Sequence, residues 1–304
     1  MVSAAVIGPG AVGGAIAALL AQNKNLDLTL CARSPIRALH VETPFGVIAC
    51  EPRALTDPDR ADQVDYVVVA TKAYDSAVAS RWLARLSGPK TEIFILQNGV
   101  DQLERWRPLA PGALLVPAIV DLPCTRKAPG RIRMRRAGSI QLPEGPEARA
   151  FAGLIDHPAV EVALVEDFTS AAWRKLCYNC AGAVAVVTRT AQGISRQPSA
   201  AQLISAIVAE CVAVGRAHGA VLEDELPEKV VSAFQAAPAE GVNSMLADRL
   251  AGRPLEVAIM NGIVVRKGAD KAIPTPVNSV IVGLLEALSD GAADKCRADG
   301  QNDC

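Results

Sequence analysis

Ala4-Ala5-Val6-Ile7-Gly8-Pro9-Gly10-Ala11-Val12-Gly13-Gly14-Ala15-Ile16 is the stretch whose reading decides the fold. An apolar run, a glycine cluster and then small apolar residues describe a strand, a tight turn and a helix in succession. The spacing Gly8-x-Gly10-x-x-Gly13 has a physical reason at each position. Gly8 allows the tight turn, Gly10 lets backbone approach a pyrophosphate, and Gly13 permits close packing of helix on strand. Val12 lies within the same loop and is counted with it as ligand-binding. The free N–H groups and the dipole at the helix start then favour a bound phosphate. The plain alternative is a tight turn with no ligand; the strand before it and the helix after it argue for the phosphate.

Working outward, Met1–Ala21 also has the apolar, small-residue composition of a secretory leader. No positive charge precedes its apolar run, and a leader has no use for those glycines, so it is read as structure. Short apolar runs recur at Ala4–Ile7, Leu28–Cys31, Tyr66–Ala70, Ile93–Leu96 and Leu114–Val120, with helical patterns at Gly13–Gln22 and Ser76–Leu86. Near-continuous apolar strands alternating with helices imply right-handed βαβ units and a doubly wound parallel sheet. Arg131–Leu142, basic and alternating, reads as a hairpin at the sheet edge or domain seam. From Thr169 the pattern becomes helical, over Thr169–Thr188, Ala200–His218, Glu225–Gln235, Leu255–Gly268 and Gly283–Leu288. Gly219 serves as a helix stop, Pro227 fits an early helix position, and Pro274 and Pro276 punctuate the last two helices. The reading is an α/β Rossmann domain over residues 1–166 and an all-α domain over 167–304, with a frayed tail after Asp290.

The 304 residues suit about two domains. Half are hydrophobic and 21% charged, too apolar for a disordered chain. Thirty-one Lys and Arg against 32 Asp and Glu leave no excess for a broad nucleic-acid surface. The longest nearly uncharged stretches, such as Leu176–Thr188, fall short of the roughly 20 residues a membrane span needs. The three histidines, His40, His157 and His218, stand apart with no metal-ligand spacing, so no metal is expected. The cysteines at 31, 50, 124, 177, 180, 211, 296 and 304 read as reduced thiols of a cytoplasmic protein. Cys177-x-x-Cys180 is the one close pair; it falls in a helical pattern with no second pair to complete a metal site.

Strand ends carry the next signals, because ligands in doubly wound sheets bind beyond the carboxyl ends of the strands. The second strand ends Cys31-Ala32-Arg33-Ser34, without the carboxylate that would hold an NAD ribose. Arg33 can pair with a 2′-phosphate through its planar fork and Ser34 adds a hydroxyl, so the cofactor expected is NADP(H). A solvated surface arginine is the alternative. Thr71-Lys72 and Gln97-Asn98-Gly99 follow the next two strands. There Lys72 can reach cofactor or an anionic substrate, and Asn98 the nicotinamide ribose or the reacting oxygen. In the helical half, Lys175 and Asn179 are four apart and share a helix face. Asn243-Ser244-Met245 and Glu256…Asn261-Gly262 add polar groups in apolar surroundings.

In this order and spacing, from residue 3 to about 280, Gly8–Gly13, Arg33, Lys72, Gln97-Asn98-Gly99, Trp173-x-Lys175-x-x-x-Asn179, Ser244-Met245 and Glu256…Asn261-Gly262 resemble the ketopantoate reductase family. The resemblance implies NADPH-dependent reduction of a 2-oxo acid to a 2-hydroxy acid on the way to pantothenate and coenzyme A. It implies a Rossmann domain joined to a helical domain, with the active site in the cleft between them. By the same resemblance Lys175 is the general acid, and Glu256 holds substrate hydroxyls at the catalytic centre. Asn179, Ser244 and Asn98 contact substrate, and Asn98 and Lys72 also position cofactor. A lysine there also places positive charge where the oxyanion forms.

Two positions depart from the family pattern: an asparagine four residues after Asn179 is Ala183 here, and one three residues before Ser244 is Gly241. The expected partner is a small 2-oxo acid, with no nucleic acid and no membrane; a homodimer is left open. Three alternatives also stay open: a reductase of the same family acting on another 2-oxo acid, an NADP-linked dehydrogenase working oxidatively on a hydroxy acid, and a non-catalytic NADP-binding sensor.

Overall fold

β1 (Val2–Ile7) runs straight into the glycine turn and α1 (Ala11–Leu20), in a computed structural model that describes residues 1–298. There follow β2 (Leu26–Cys31), β3 (Leu39–Thr43), β4 (Gly46–Cys50), β5 (Arg53–Leu55), β6 (Tyr66–Val69), α2 (Ser76–Leu86) and β7 (Glu92–Ile95). The chain continues through α3 (Gln102–Trp106), β8 (Leu114–Pro117), β9 (Ile119–Asp121), β10 (Cys124–Ala128), β11 (Arg131–Met134) and β12 (Gly138–Pro143). α4 (Pro146–Ala152) and β13 (Val160–Val165) complete the first of two compact units, Met1–Phe168.

Six parallel strands in the order β5-β2-β1-β6-β7-β8 form the central sheet of this Rossmann-like unit. The apolar runs are continuous because both faces of the sheet are covered. Ala4, Val6, Leu28, Leu30, Val68 and Phe94 pack on the side of α1. Ala5, Ile7, Val67, Val69, Ile93 and Ile95 pack on the opposite side against Trp82, Leu83 and Leu86 of α2 and Trp106 of α3. Register is matched at the carboxyl edge, where Ile7 pairs with both Cys31 and Val69, and Val69 with Ile95. The loops after β2, β1, β6 and β7 therefore leave the sheet side by side.

Two sequence expectations need correction in this unit. Leu114–Val120 is not one strand: Pro117 ends β8, and Ile119 and Val120 belong to β9, antiparallel to β12. Proline has no N–H with which to carry the ladder on. Arg131–Leu142 is not a hairpin either. β11 pairs with β10 and β3, and β12 with β13 and β9, so Arg131–Met134 forms its hairpin with the preceding strand Cys124–Ala128 instead. Two small sheets, β10-β11-β3-β4 and β13-β12-β9, and the edge strand β5 of the central sheet lie largely outside the strands read from the sequence.

The second unit begins at Thr169 and is helical. Its elements are α5 (Phe168–Ala181), α6 (Ala183–Thr188), α7 (Pro198–Ala217), α8 (Leu226–Ala236), α9 (Ser244–Leu250), α10 (Asn261–Asp270) and α11 (Pro276–Ala298). The continuous helix expected over Thr169–Thr188 is divided at Gly182, and that over Leu255–Gly268 becomes a short 3-10 turn, Val257–Ile259, followed by α10. Gly219, at φ 89°, follows α7 in the left-handed conformation of a helix stop, and Pro227 sits in the first turn of α8. α11 continues past Asp290, where the sequence reading places a frayed tail; residues 299–304, with Cys304, lie outside the described residues.

α7 corrects the hydropathy reading as well. Its 20 residues have a window of mean hydropathy 1.5, long and apolar enough by composition to cross a membrane. Ile204, Ile207, Val208, Cys211, Val212 and Val214 are instead buried in the protein, against neighbours that include α8, α10 and α11. Burial pushes the Cys31 and Cys124 thiols up to about 12. Cys177, hydrogen-bonded to Cys211 and buried, is also raised well above the ordinary range, and neutral thiols of this kind pack as small hydrophobes.

Candidate active site

The glycine loop has the shape its spacing predicts. Gly8 has φ 82°, and a β-carbon there would lie 2.7 Å from the Thr71 methyl. A β-carbon on Gly13 would collide with the Gly8 carbonyl oxygen and lie 2.8 Å from Ala70 Cβ. Gly10 differs: the nearest heavy atom to a β-carbon built there is the Gly8 oxygen, 3.9 Å away. Open space at Gly10 is what close approach of a pyrophosphate requires. No side chain caps α1 and no acidic residue occupies its first turn, so its N-terminal N–H groups are left for an anion. These features fit a dinucleotide.

Arg33 and Ser34 are exposed just past β2. Lys72 is half-buried after β6, and Asn98 half-buried after β7. The parallel register brings these loops to one edge of the sheet, beside Gly8–Gly13.

A second group forms in the helical unit. Trp173, Leu176, Cys177 and Cys180 bury one side of α5, while Lys175 and Asn179 lie half-buried on another. The junction between α5 and α6 gathers the remaining candidates. Asn243 caps α9 by accepting from Leu246 N at 2.8 Å, and its Nδ2 donates to Gly182 O at 3.0 Å. Asn261 Nδ2 donates to Cys180 O at 3.3 Å. Ser244, exposed at the start of α9, and Glu256, 6% exposed ahead of the 3-10 turn, therefore belong to segments fastened to the end of α5 that carries Asn179. Nearby, the Glu223 carboxyl is held down to about 2 by its own backbone N–H and by Arg174 of α5 at 3.0 Å.

Sequence reasoning missed the residues that do this fastening. In the sequence Asn243 reads only as a polar residue, and Arg105, which ties down the loop of Asn98, lies outside the motifs. Arg105 Nε bonds Asp101 Oδ1 at 2.9 Å and its Nη2 bonds Asn98 O at 3.0 Å. The Asp101–Arg105 spacing of four, just after Gln97-Asn98-Gly99, was the available signal. An apolar pocket of about 410 Å³ lies between α6, α7 and α11, lined in part by Val184, Leu203, Val280 and Leu284; none of the candidate residues line it.

With this geometry in place, family models complete the picture. One described as ketopantoate reductase PanE/ApbA matches residues 4–147, and one described as ketopantoate reductase PanE/ApbA C terminal matches residues 167–289. The chain belongs to the ketopantoate reductase family. It is 48% identical over 289 residues to a 2-dehydropantoate 2-reductase of Caulobacter vibrioides, covering 95% of this chain and all of that one. A 2-dehydropantoate 2-reductase of Mycobacterium tuberculosis is 38% identical over 294 residues, covering 94% of this chain and 98% of its own. The crystal structure of a PanE/ApbA family ketopantoate reductase from Ralstonia eutropha JMP134 superimposes with TM-score 0.88 at 25% identity, over 96% of this chain and 99% of that one.

The chain is thus an oxidoreductase of that family, and at positions 183 and 241, where the resemblance leads to an expectation of asparagine, space is limited. Ala183 is fully buried at the start of α6. A β-carbon on Gly241 would lie 2.9 Å from Pro238 O and 3.4 Å from Gln192 Cβ. Neither position takes an asparagine unless its neighbours shift.

Proposed function

We propose that the protein reduces 2-dehydropantoate to pantoate with NADPH, a step toward pantothenate and coenzyme A. The observation that carries this reading is the lysine of α5, Lys175, sharing a half-buried helix face with Asn179 in a chain whose glycine loop leaves room for a dinucleotide at Gly10. Gly8, Gly10, Val12 and Gly13 hold the pyrophosphate, Lys72 and Asn98 hold the nicotinamide half, and Arg33 with Ser34 holds the 2′-phosphate. When bound, the reduced nicotinamide supplies the hydride for the C2 carbonyl carbon of the oxo acid.

Lys175 donates a proton from Nζ to the C2 oxygen as negative charge develops on it, and its positive charge stabilises that oxygen before the proton moves. Asn98, Asn179 and Ser244 orient the substrate through hydrogen bonds, and Glu256 accepts from its hydroxyl. With Ala183 and Gly241 in place of two amides, substrate binding depends the more on these groups, each neutral hydrogen bond contributing roughly 0.5–1.5 kcal/mol net.

Arg33 gives the cofactor test. Hydrogen bonds to charged groups contribute roughly 1.5–3 kcal/mol, so Arg33→Ala is expected to raise the KM for NADPH by about 10- to 100-fold and to leave that for NADH nearly unchanged. Initial rates with both nucleotides on the wild type and the variant decide it. Equal efficiency with NADH in the wild type, untouched by the substitution, sinks the NADP(H) assignment.

A further inference from the structure

We propose that Gln97 is a positioning residue whose carboxamide locks the loops after β6 and β7 together, so that Lys72 and Asn98 meet the nicotinamide nucleotide in one fixed arrangement. This rests on the assignment of Lys72 and Asn98 to the cofactor made above.

Gln97 follows β7 and is 4% exposed. Its Nε2 faces three oxygens: Thr71 Oγ1 at 3.2 Å, Lys72 O at 3.3 Å and Ser76 Oγ at 3.2 Å. Its Oε1 faces Arg105 Nη1 at 2.6 Å and Trp106 Nε1 at 3.0 Å. Arginine and indole nitrogens only donate, so Oε1 must point toward them and Nε2 toward the loop after β6. The orientation of the amide is thereby fixed. Its backbone is held too, since Gln97 O accepts from Gln102 Nε2 at 3.1 Å and the next carbonyl, Asn98 O, from Arg105.

One buried amide thus reads the backbone of Lys72 on one side and, through Arg105, the backbone of Asn98 on the other. An ordinary core position needs an apolar side chain. A glutamine bonded through both ends of its amide sets the distance and phase between two loops, and a network of this kind is costly to leave half-satisfied.

Gln97→Glu separates this role from bulk stability. The carboxylate still accepts from Arg105 and Trp106 and keeps the shape of glutamine. The hydroxyls of Thr71 and Ser76 can rotate to donate to it, but Lys72 O cannot, and two acceptors then oppose each other at that carbonyl.

The test is a double-mutant cycle read by NADPH binding in a fluorescence or calorimetric titration, with hydrogen exchange on the ligand-free protein. Gln97→Glu is expected to weaken NADPH binding about tenfold, to raise its KM with kcat changed less than about threefold, and to speed exchange at the amides of residues 71–73. In a Lys72→Ala background the same substitution is expected to change binding by less than about threefold. Arg105→Lys keeps the charge beside Asp101 but loses the fork that reaches both Gln97 and Asn98, and it is expected to weaken binding similarly if Gln97→Glu does not fold. Normal NADPH binding in Lys72→Ala overturns the cofactor assignment and this role with it. Weakened binding in Lys72→Ala beside normal binding in Gln97→Glu, or beside an equal loss in both backgrounds, overturns the positioning role alone.

Discussion

Lys175→Ala is expected to lower kcat on 2-dehydropantoate by roughly 10²- to 10⁴-fold, the range a positioned general acid supplies, while NADPH binding stays within about twofold. The side chain is half-buried on α5, apart from the face where Trp173, Leu176 and Cys177 pack, so its removal leaves no core cavity and the fold is retained. Lys175→Arg separates proton donation from charge. Arginine keeps the positive charge but does not release its proton near neutral pH. Little recovery of kcat in that variant assigns the loss to the missing proton, whereas near-complete recovery assigns it to electrostatic stabilisation of the C2 oxygen. Stopped-flow or steady-state measurement of NADPH absorbance reads both variants. A near-normal kcat in Lys175→Ala removes the lysine from the chemistry.

Gly10→Ala and Gly13→Ala are expected to fail in different ways. The protein itself has room for a methyl at Gly10, where the nearest heavy atom lies 3.9 Å from the added carbon. The methyl would instead occupy the approach of the pyrophosphate, so Gly10→Ala should melt close to the wild type and bind NADPH at least about tenfold more weakly, a loss of about 1.4 kcal/mol. At Gly13 the methyl meets the Gly8 carbonyl of the loop's own backbone and the Ala70 side chain just past β6. Overpacking of that kind costs roughly 1–3 kcal/mol, so Gly13→Ala should lose thermal stability as well as cofactor. Thermal melts with and without NADPH separate the two. Equal Tm values for both variants, or wild-type affinity in Gly10→Ala, would contradict the assigned division of labour between the glycines.

β1, β2, β6 and β7 of the central sheet were legible because they are largely buried on both faces, which leaves an unbroken apolar signal, whereas the three-residue edge strand β5, with Arg53 exposed, leaves none. β3 and β4 alternate instead: Leu39 and Val41 are buried between exposed His40 and Glu42, and Ile48 is buried beside exposed Val47. Strands this short, with one wet face, give little signal above loop sequence. Gly182 concealed the break between α5 and α6, since its φ of −61° is helical and no proline marks it. Strand-end candidates could be named from the rule that ligands bind beyond the carboxyl edge. Apart from Arg105, with its partner Asp101 four residues away, the fasteners could not, because their partners are remote: Asn243 and Gly182 are 61 positions apart, and Gln97 and Thr71 are 26 apart. A hydrogen bond across such a separation leaves no pattern in one sequence. The limited space around Ala183 and Gly241 was likewise beyond the sequence, since it depends on residues such as Gln192 that are remote along the chain.

The most direct measurement is NADPH oxidation by the purified protein across a panel of 2-oxo acids, with 2-dehydropantoate first. Ketopantoate reductase chemistry in this chain predicts saturable turnover on 2-dehydropantoate, with the highest kcat/KM of the panel and NADPH preferred to NADH. Tight NADPH binding with no turnover on 2-dehydropantoate, or a higher kcat/KM on another 2-oxo acid, would contradict it.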